Sequence, residues 1–153
     1  MASDDIAHVL LGFEGGVRGA FTVSQCSAGH RNDLRFEVDG SAASLAWDAS
    51  RHEELWLGRR DEPNGLLQRG ASPLHPGAAA RTALPAGHPE GWVDTFRELY
   101  RSVYAAVAAG APPDEPDFPT FADGHRANVL VDAVAASHER RAWVPVPTTE
   151  VTR

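Results

Sequence analysis

One stretch of the sequence gathers residue types that can do chemistry: Gly87-His88-Pro89-Glu90-Gly91-Trp92. An imidazole, a carboxylate and an indole follow one another closely here. His88 can give or take a proton, Glu90 can accept hydrogen bonds, and Trp92 offers a flat apolar face. Gly87 and Gly91 let the backbone bend or approach a ligand closely. His88, Glu90 and Trp92 are therefore the expected substrate-binding residues, on one lip of a small-molecule pocket. The same stretch also has the makings of a helix start. Pro89 suits a first turn, Glu90 suits the positive end of the helix dipole, and Trp92 suits a core anchor. Ser24 and Gln25 close a strand, where polar residues either border a pocket or face water.

The remaining chemistry is defined mostly by exclusion. All 14 basic residues are Arg, so no lysine Schiff base or lysine proton donor can form. Without Lys there is no Gly-Lys phosphate loop. Gly12, Gly15, Gly16 and Gly19 cluster, but their spacing is not that of a dinucleotide fingerprint, and a strand rather than a helix follows them. No cofactor site is expected within this sequence. The seven His residues (8, 30, 52, 75, 88, 125 and 138) form no pair that shares a helical turn, and Cys26 is alone. No metal site and no disulfide are expected. No Gly-x-Ser-x-Gly elbow is present, and no catalytic residue is assigned.

Composition narrows the class further. The 153 residues suffice for one domain with a core; 42% are hydrophobic and 23% charged, ordinary for a globular protein. Net charge is -7 and no basic face is visible, which argues against nucleic acid. No apolar run approaches the ~20 residues of a membrane span. The opening Met1-Ala2-Ser3-Asp4-Asp5 is not a signal peptide. The expectation is one cytoplasmic domain over 1–153, with fraying ends at 1–6 and 148–153.

The elements that must position the stretch lie on either side of it. Upstream, His8 to Phe13 reads as a strand, and Glu14-Gly15-Gly16 as a tight turn. Val17, Gly19, Phe21 and Val23 alternate with Arg18, Ala20, Thr22 and Ser24, a period of two. Asp33 to Asp39 alternates likewise, and Asp39-Gly40 signals a hairpin into Ala43 to Asp48. Glu54 to Leu57 and Leu66 to Gln68 are further short strands. Paired simply, Trp47 and Trp56 fall on opposite faces, leaving one of them exposed on a monomer and suggesting a partner surface. Residues 70–86 read as a long loop. Downstream, the pattern predicts a helix from about Pro89 to Ala109, with Trp92, Phe96, Leu99, Tyr100, Val103 and Val107 on its apolar face. Gly110 and Pro112-Pro113 end it. Thr120-Phe121-Ala122-Asp123 resembles a capping box, opening a second helix to about His138 with Ala127, Leu130, Val131 and Val134 as its stripe. Trp143 to Val146 reads as a last strand, placed at an edge by Pro145. The fold class is α+β: an open, mainly antiparallel sheet with helices on one face.

Four strings in this order resemble one family. They are Val9 to Ser24 (VLLGFEGGVRGAFTVS), Leu34 to Asp48 (LRFEVDGSAASLAWD), Gly87 to Phe96 (GHPEGWVDTF), and Thr120 to Trp143, opening TFADG and closing ERRAW. Together they resemble the C-terminal domain of the Gfo/Idh/MocA oxidoreductases, the family of glucose–fructose oxidoreductase and inositol dehydrogenase. The resemblance covers nearly the whole chain. It implies a large sheet whose free face serves as a homo-oligomer interface, and a share of a pocket for a sugar, polyol or related hydroxy compound. It also implies hydride transfer with NAD or NADP in a full-length parent, which requires a nucleotide-binding domain. That domain and the family's Glu-Lys-Pro motif are not in this sequence. The family's Asp-x-x-x-His motif lies on a helix. Asp4-Asp5-Ile6-Ala7-His8 has its spacing but runs straight into a strand, so His8 is read as a coincidence. The resemblance leaves two functions open: the substrate and oligomerisation domain of an NAD(P)-dependent oxidoreductase, inactive alone, or a free-standing non-catalytic module that binds a small molecule or dimerises.

Overall fold

The computed structural model describes residues 5–70 and 74–148. The ends expected to fray lie mostly outside these; Asp5, Ile6 and Thr148 are described, and Ile6 opens a strand. The fold is α+β, with open antiparallel sheets and three helices among the described residues. The strands are β1 (Ile6–Gly12), β2 (Arg18–Ser24), β3 (Arg35–Asp39), β4 (Ala43–Asp48), β5 (Glu54–Arg59) and β6 (Gly65–Gln68). The helices are α1 (Pro76–Ala79), α2 (Trp92–Ala109) and α3 (Phe121–Arg140). The chain divides into two compact units, one of residues 1–29 with 113–153 and one of residues 30–112.

In the first unit, β1 and β2 form a hairpin in which His8 faces Thr22 and Val9 faces Phe21. The turn at Glu14–Gly16 is the expected one, closed by Phe13 N–H on the Val17 carbonyl at 3.0 Å and Gly16 N–H on the Phe13 carbonyl at 3.3 Å. Gly15 (φ 78°) and Gly16 (φ 88°) take the left-handed conformations that side chains resist. The alternation places Ala7, Val9 and Leu11 on one face with Gly19, Phe21 and Val23. Helix α3 opens on the expected capping box. Thr120 Oγ1 accepts the Asp123 N–H at 3.3 Å, and Asp123 Oδ2 accepts the Thr120 N–H at 2.9 Å. Its inner face centres on Ala133 and carries Leu130 and Val134, whereas Ala127 and Val131 point outward. Trp143 to Val146 is not a strand. Pro145 and Pro147 deprive alternate positions of their N–H, so the segment has no regular edge to offer a ladder.

In the second unit, β3, β4, β5 and β6 pair in that order into a four-stranded antiparallel sheet. Gly40 N–H returns to the Ala43 carbonyl at 2.9 Å, closing the hairpin that Asp39-Gly40 signals. The register is simple: Phe36 faces Trp47, Ala46 faces Trp56, and Trp56 faces Leu66. Phe36, Val38, Leu45, Trp47, Leu55, Leu57 and Leu67 therefore share an apolar face. Arg35, Glu37, Ala46, Asp48, Glu54, Trp56 and Leu66 share the other, and the two Trp residues do lie on opposite faces. Neither stands free, however, because both are half-buried. Trp47 stacks on Phe36 at 5.6 Å and donates Nε1–H to the His52 carbonyl at 3.1 Å. The Trp56 ring lies back over Gly58, where a Cβ would come within 2.3 Å of it. The stretch read as a loop from 70 to 86 contains the four-residue α1, entered at Pro76.

Candidate functional site

Helix α2 begins at Trp92, three residues after the position the sequence suggests. Gly91 is its N-cap, and its N–H is accepted by Asp94 Oδ2 at 2.8 Å. Pro89 and Glu90 remain in the loop because Glu90 is held elsewhere. Its N–H donates to Glu53 Oε1 at 3.0 Å, while its carboxylate accepts the Ala83 N–H at 2.9 Å. The same carboxylate meets Arg69 Nη1 at 3.3 Å and Arg97 Nη2 at 3.5 Å. With its side chain 11% exposed, Glu90 serves the loop and is not presented to solvent as a free ligand.

Arg69 is the hub of this arrangement. It follows β6 and pairs with Glu53, which precedes β5; Arg69 N–H reaches the Glu53 carbonyl at 2.9 Å. Continuing the strand alternation, both side chains extend on the apolar side of the sheet, and Arg69 Nε donates to Glu53 Oε2 at 2.7 Å. Its Nη1 donates to the Leu84 carbonyl at 3.0 Å and its Nη2 to the His88 carbonyl. Partial burial would raise the pKa of Glu53. The Glu90 N–H, the Arg69 hydrogen bond and the charges of Arg69 and His52 outweigh it and hold the carboxyl below its ordinary range. The planar, multiply donating guanidinium suits this role.

The loop thus presents two of its three expected residues outward. His88 is exposed, and its imidazole makes no hydrogen bond among the described residues. Trp92 is 67% exposed and packs edge-on against Phe96 at 4.7 Å. The α2 stripe is split. Leu99 and Val103 turn inward with Glu98, Ser102 and Ala106, while Trp92, Phe96, Tyr100, Tyr104 and Val107 turn outward. Asp94, Glu98 and Ser102 lie on the inward side and have partners of their own. Arg97 reaches Asp94 at 2.8 Å and Glu98 at 3.2 Å, and Arg81 reaches Ser102 at 2.8 Å. Sequence reading overlooked Arg69 and Glu53. Their one local signal is a charged residue at each end of an apolar strand pair.

Elsewhere, His8 lies on a strand, its Nδ1 2.9 Å from Thr22 Oγ1, and not on a helix as the family's Asp-x-x-x-His motif would require; Asp4 is outside the described residues. Ser24 Oγ is taken up by its own turn, 2.7 Å from Ser27 Oγ. On the polar face of the four-stranded sheet, Trp56 and Leu66 floor a basin of about 340 Å³ rimmed by Arg35, Asp48, Arg51 and Glu54. None of His88, Glu90 and Trp92 lines it. Among the described residues, no His, Cys, Asp and Glu cluster could hold a metal ion, and no helix is long and apolar enough to cross a membrane.

Residues 1–146 match the family model described as the C-terminal alpha/beta domain of the oxidoreductase family, Gfo/Idh/MocA. The chain belongs to the Gfo/Idh/MocA family. This family domain is similar to part of the uncharacterised oxidoreductase YfiI of Bacillus subtilis, 30% identical over 149 residues, 92% of this chain and 37% of YfiI. A solved oxidoreductase from Sinorhizobium meliloti superposes with a TM-score of 0.85 at 35% identity, covering 93% of this chain and 41% of that one. An inositol dehydrogenase homologue from Azotobacter vinelandii, solved with NAD+, gives 0.81 at 30% identity, covering 90% and 36%. An inositol dehydrogenase homologue from A. vinelandii has also been solved with NADH and myo-inositol. The chain therefore spans little more than a third of the length of these relatives.

Proposed function

We propose that this chain is the substrate-binding and oligomerisation domain of a cytoplasmic NAD(P)-dependent oxidoreductase that acts on a sugar, polyol or related hydroxy compound. The observation that carries the reading is family membership over residues 1–146, together with the relative from A. vinelandii that holds NADH and myo-inositol. His88 and Trp92 supply one lip of the substrate pocket, the imidazole to a hydroxyl and the indole to the ring's C–H face. Glu90 acts behind them by fixing the loop. Hydride transfer belongs to NAD or NADP, and neither a fingerprint for that cofactor nor a lysine is present in these residues. The chain alone is therefore inactive. Its partner is a second copy, met through the polar face of the four-stranded sheet around Trp56 and Leu66, the face opposite the Arg69 cluster.

Calorimetric titration of the purified chain tests this reading. Myo-inositol should give a saturable heat that His88→Ala abolishes, whereas NADH and NADPH should give none. Cofactor binding to the chain, or inositol binding indifferent to His88, would overturn it.

A further inference from the structure

Three contacts on the segment that carries His88 pass through one side chain. Arg69 grips Glu53 and Glu90 and ties down the carbonyls of Leu84 and His88, four residues apart on the same loop. Beside it, Gly70 has φ +84°, and a Cβ on it would lie 2.3 Å from the Ala86 Cβ. The loop therefore rests directly on the Arg69-Gly70 backbone, closer than any other residue would permit. We propose that Arg69 is a positioning residue that sets the conformation of the 84–91 loop and so the placement of His88 and Trp92, an inference that rests on the pocket reading above for its functional meaning.

The physical case is one of donor count and charge. A guanidinium carries five N–H donors in a rigid fork, enough for the four acceptors here; an ammonium has three donors on a flexible stem. Two carboxylates, Glu53 and Glu90, are drawn to one cation, and Arg97 offsets Glu90 from the helix side. Without Arg69, Glu53 loses its guanidinium partner, Glu90 keeps only Arg97, and two carbonyls lose their donors. A loop pinned at both ends presents its outward side chains in one arrangement, which lowers the ordering cost of binding. Arg69 does not touch the ligand; it acts through His88 and Trp92.

Amide hydrogen exchange by NMR on the chain, beside Arg69→Met and Arg69→Lys, provides the test. The Ala83 and Glu90 amides, donors to Glu90 and Glu53, report the loop; the Phe36 and Trp56 amides report the sheet. Both variants should exchange at least tenfold faster at Ala83 and Glu90 with the sheet amides unchanged, and the His88 ring resonances should move. The affinity for myo-inositol should fall at least tenfold. Unchanged loop exchange in both variants would overturn the proposal, as would a freed loop with unchanged His88 resonances and inositol affinity. Should Arg69→Met fail to fold, the Lys variant alone decides between the same outcomes. Absence of inositol binding in the unmodified chain would reject the pocket reading instead, leaving loop exchange and the His88 resonances to decide whether Arg69 positions the loop.

Discussion

Glu53 serves two elements at once: it receives the Glu90 N–H from the loop and the Arg69 guanidinium from the end of β6. Its folded pKa lies below its ordinary value of 4.5. Near pH 4 the unfolded chain then binds more protons than the folded one, so stability rises with pH there. The contribution is complete above the ordinary value and is lost as pH falls through the lowered one. Acid titration followed by circular dichroism should show this slope, and Glu53→Gln should flatten it while lowering the urea midpoint at pH 7. Trp56 offers a second test at this scale. Because its ring covers Gly58, Gly58→Ala should push the indole outward and shift its fluorescence to the red; an unmoved spectrum would contradict the stacked placement. The partners of Glu53, the Arg69 guanidinium and the Glu90 N–H, were not legible beforehand. Arg69 is 16 residues away and Glu90 is 37, and no spacing rule links residues at such separations.

Helix ends and turns, by contrast, are set by groups only a few residues apart. The box at Thr120 follows from the need to satisfy the first N–H groups of α3, a purely local requirement. Thr120→Ala should cost about 1 kcal/mol, measured as a loss of urea stability. Gly70→Ala should cost more, since it adds the strain of a positive φ, on the order of 1 kcal/mol, to a contact the Ala86 backbone cannot escape. It should also loosen the loop, as seen in faster exchange at Ala83. The α2 start shows where local signals fall short. Pro89 and Glu90 are good first-turn residues, yet the tertiary bonds of Glu90 hold them in the loop and move the cap to Gly91. The final strand fails for a local reason that was visible: two prolines in five residues leave too few donors.

At the scale of the whole molecule, many large apolar side chains are left uncovered. Among the described residues Ala133 is the one buried hydrophobic side chain of the core, while Trp92, Tyr104 and Val107 on α2 are all about two-thirds exposed. The relatives are more than twice as long as this chain, and we read these surfaces as ones that a larger assembly covers. Light scattering at micromolar concentration should find a dimer or larger species, and Leu66→Glu, at the floor of the polar-face basin, should return it to monomer. A monomer before substitution would remove that face as the interface. Strands β1 to β6, the hairpin turns, the capping box and the α+β class were legible along the chain, because alternation, glycine and capping side chains act over a few residues. The sequence also carried the family, through four ordered strings. Which side of α2 turns inward, and that Arg69 rather than the helix dipole holds Glu90, became visible with the folded chain. Those outcomes depend on hydrogen bonds and charges that meet only after distant segments are brought together.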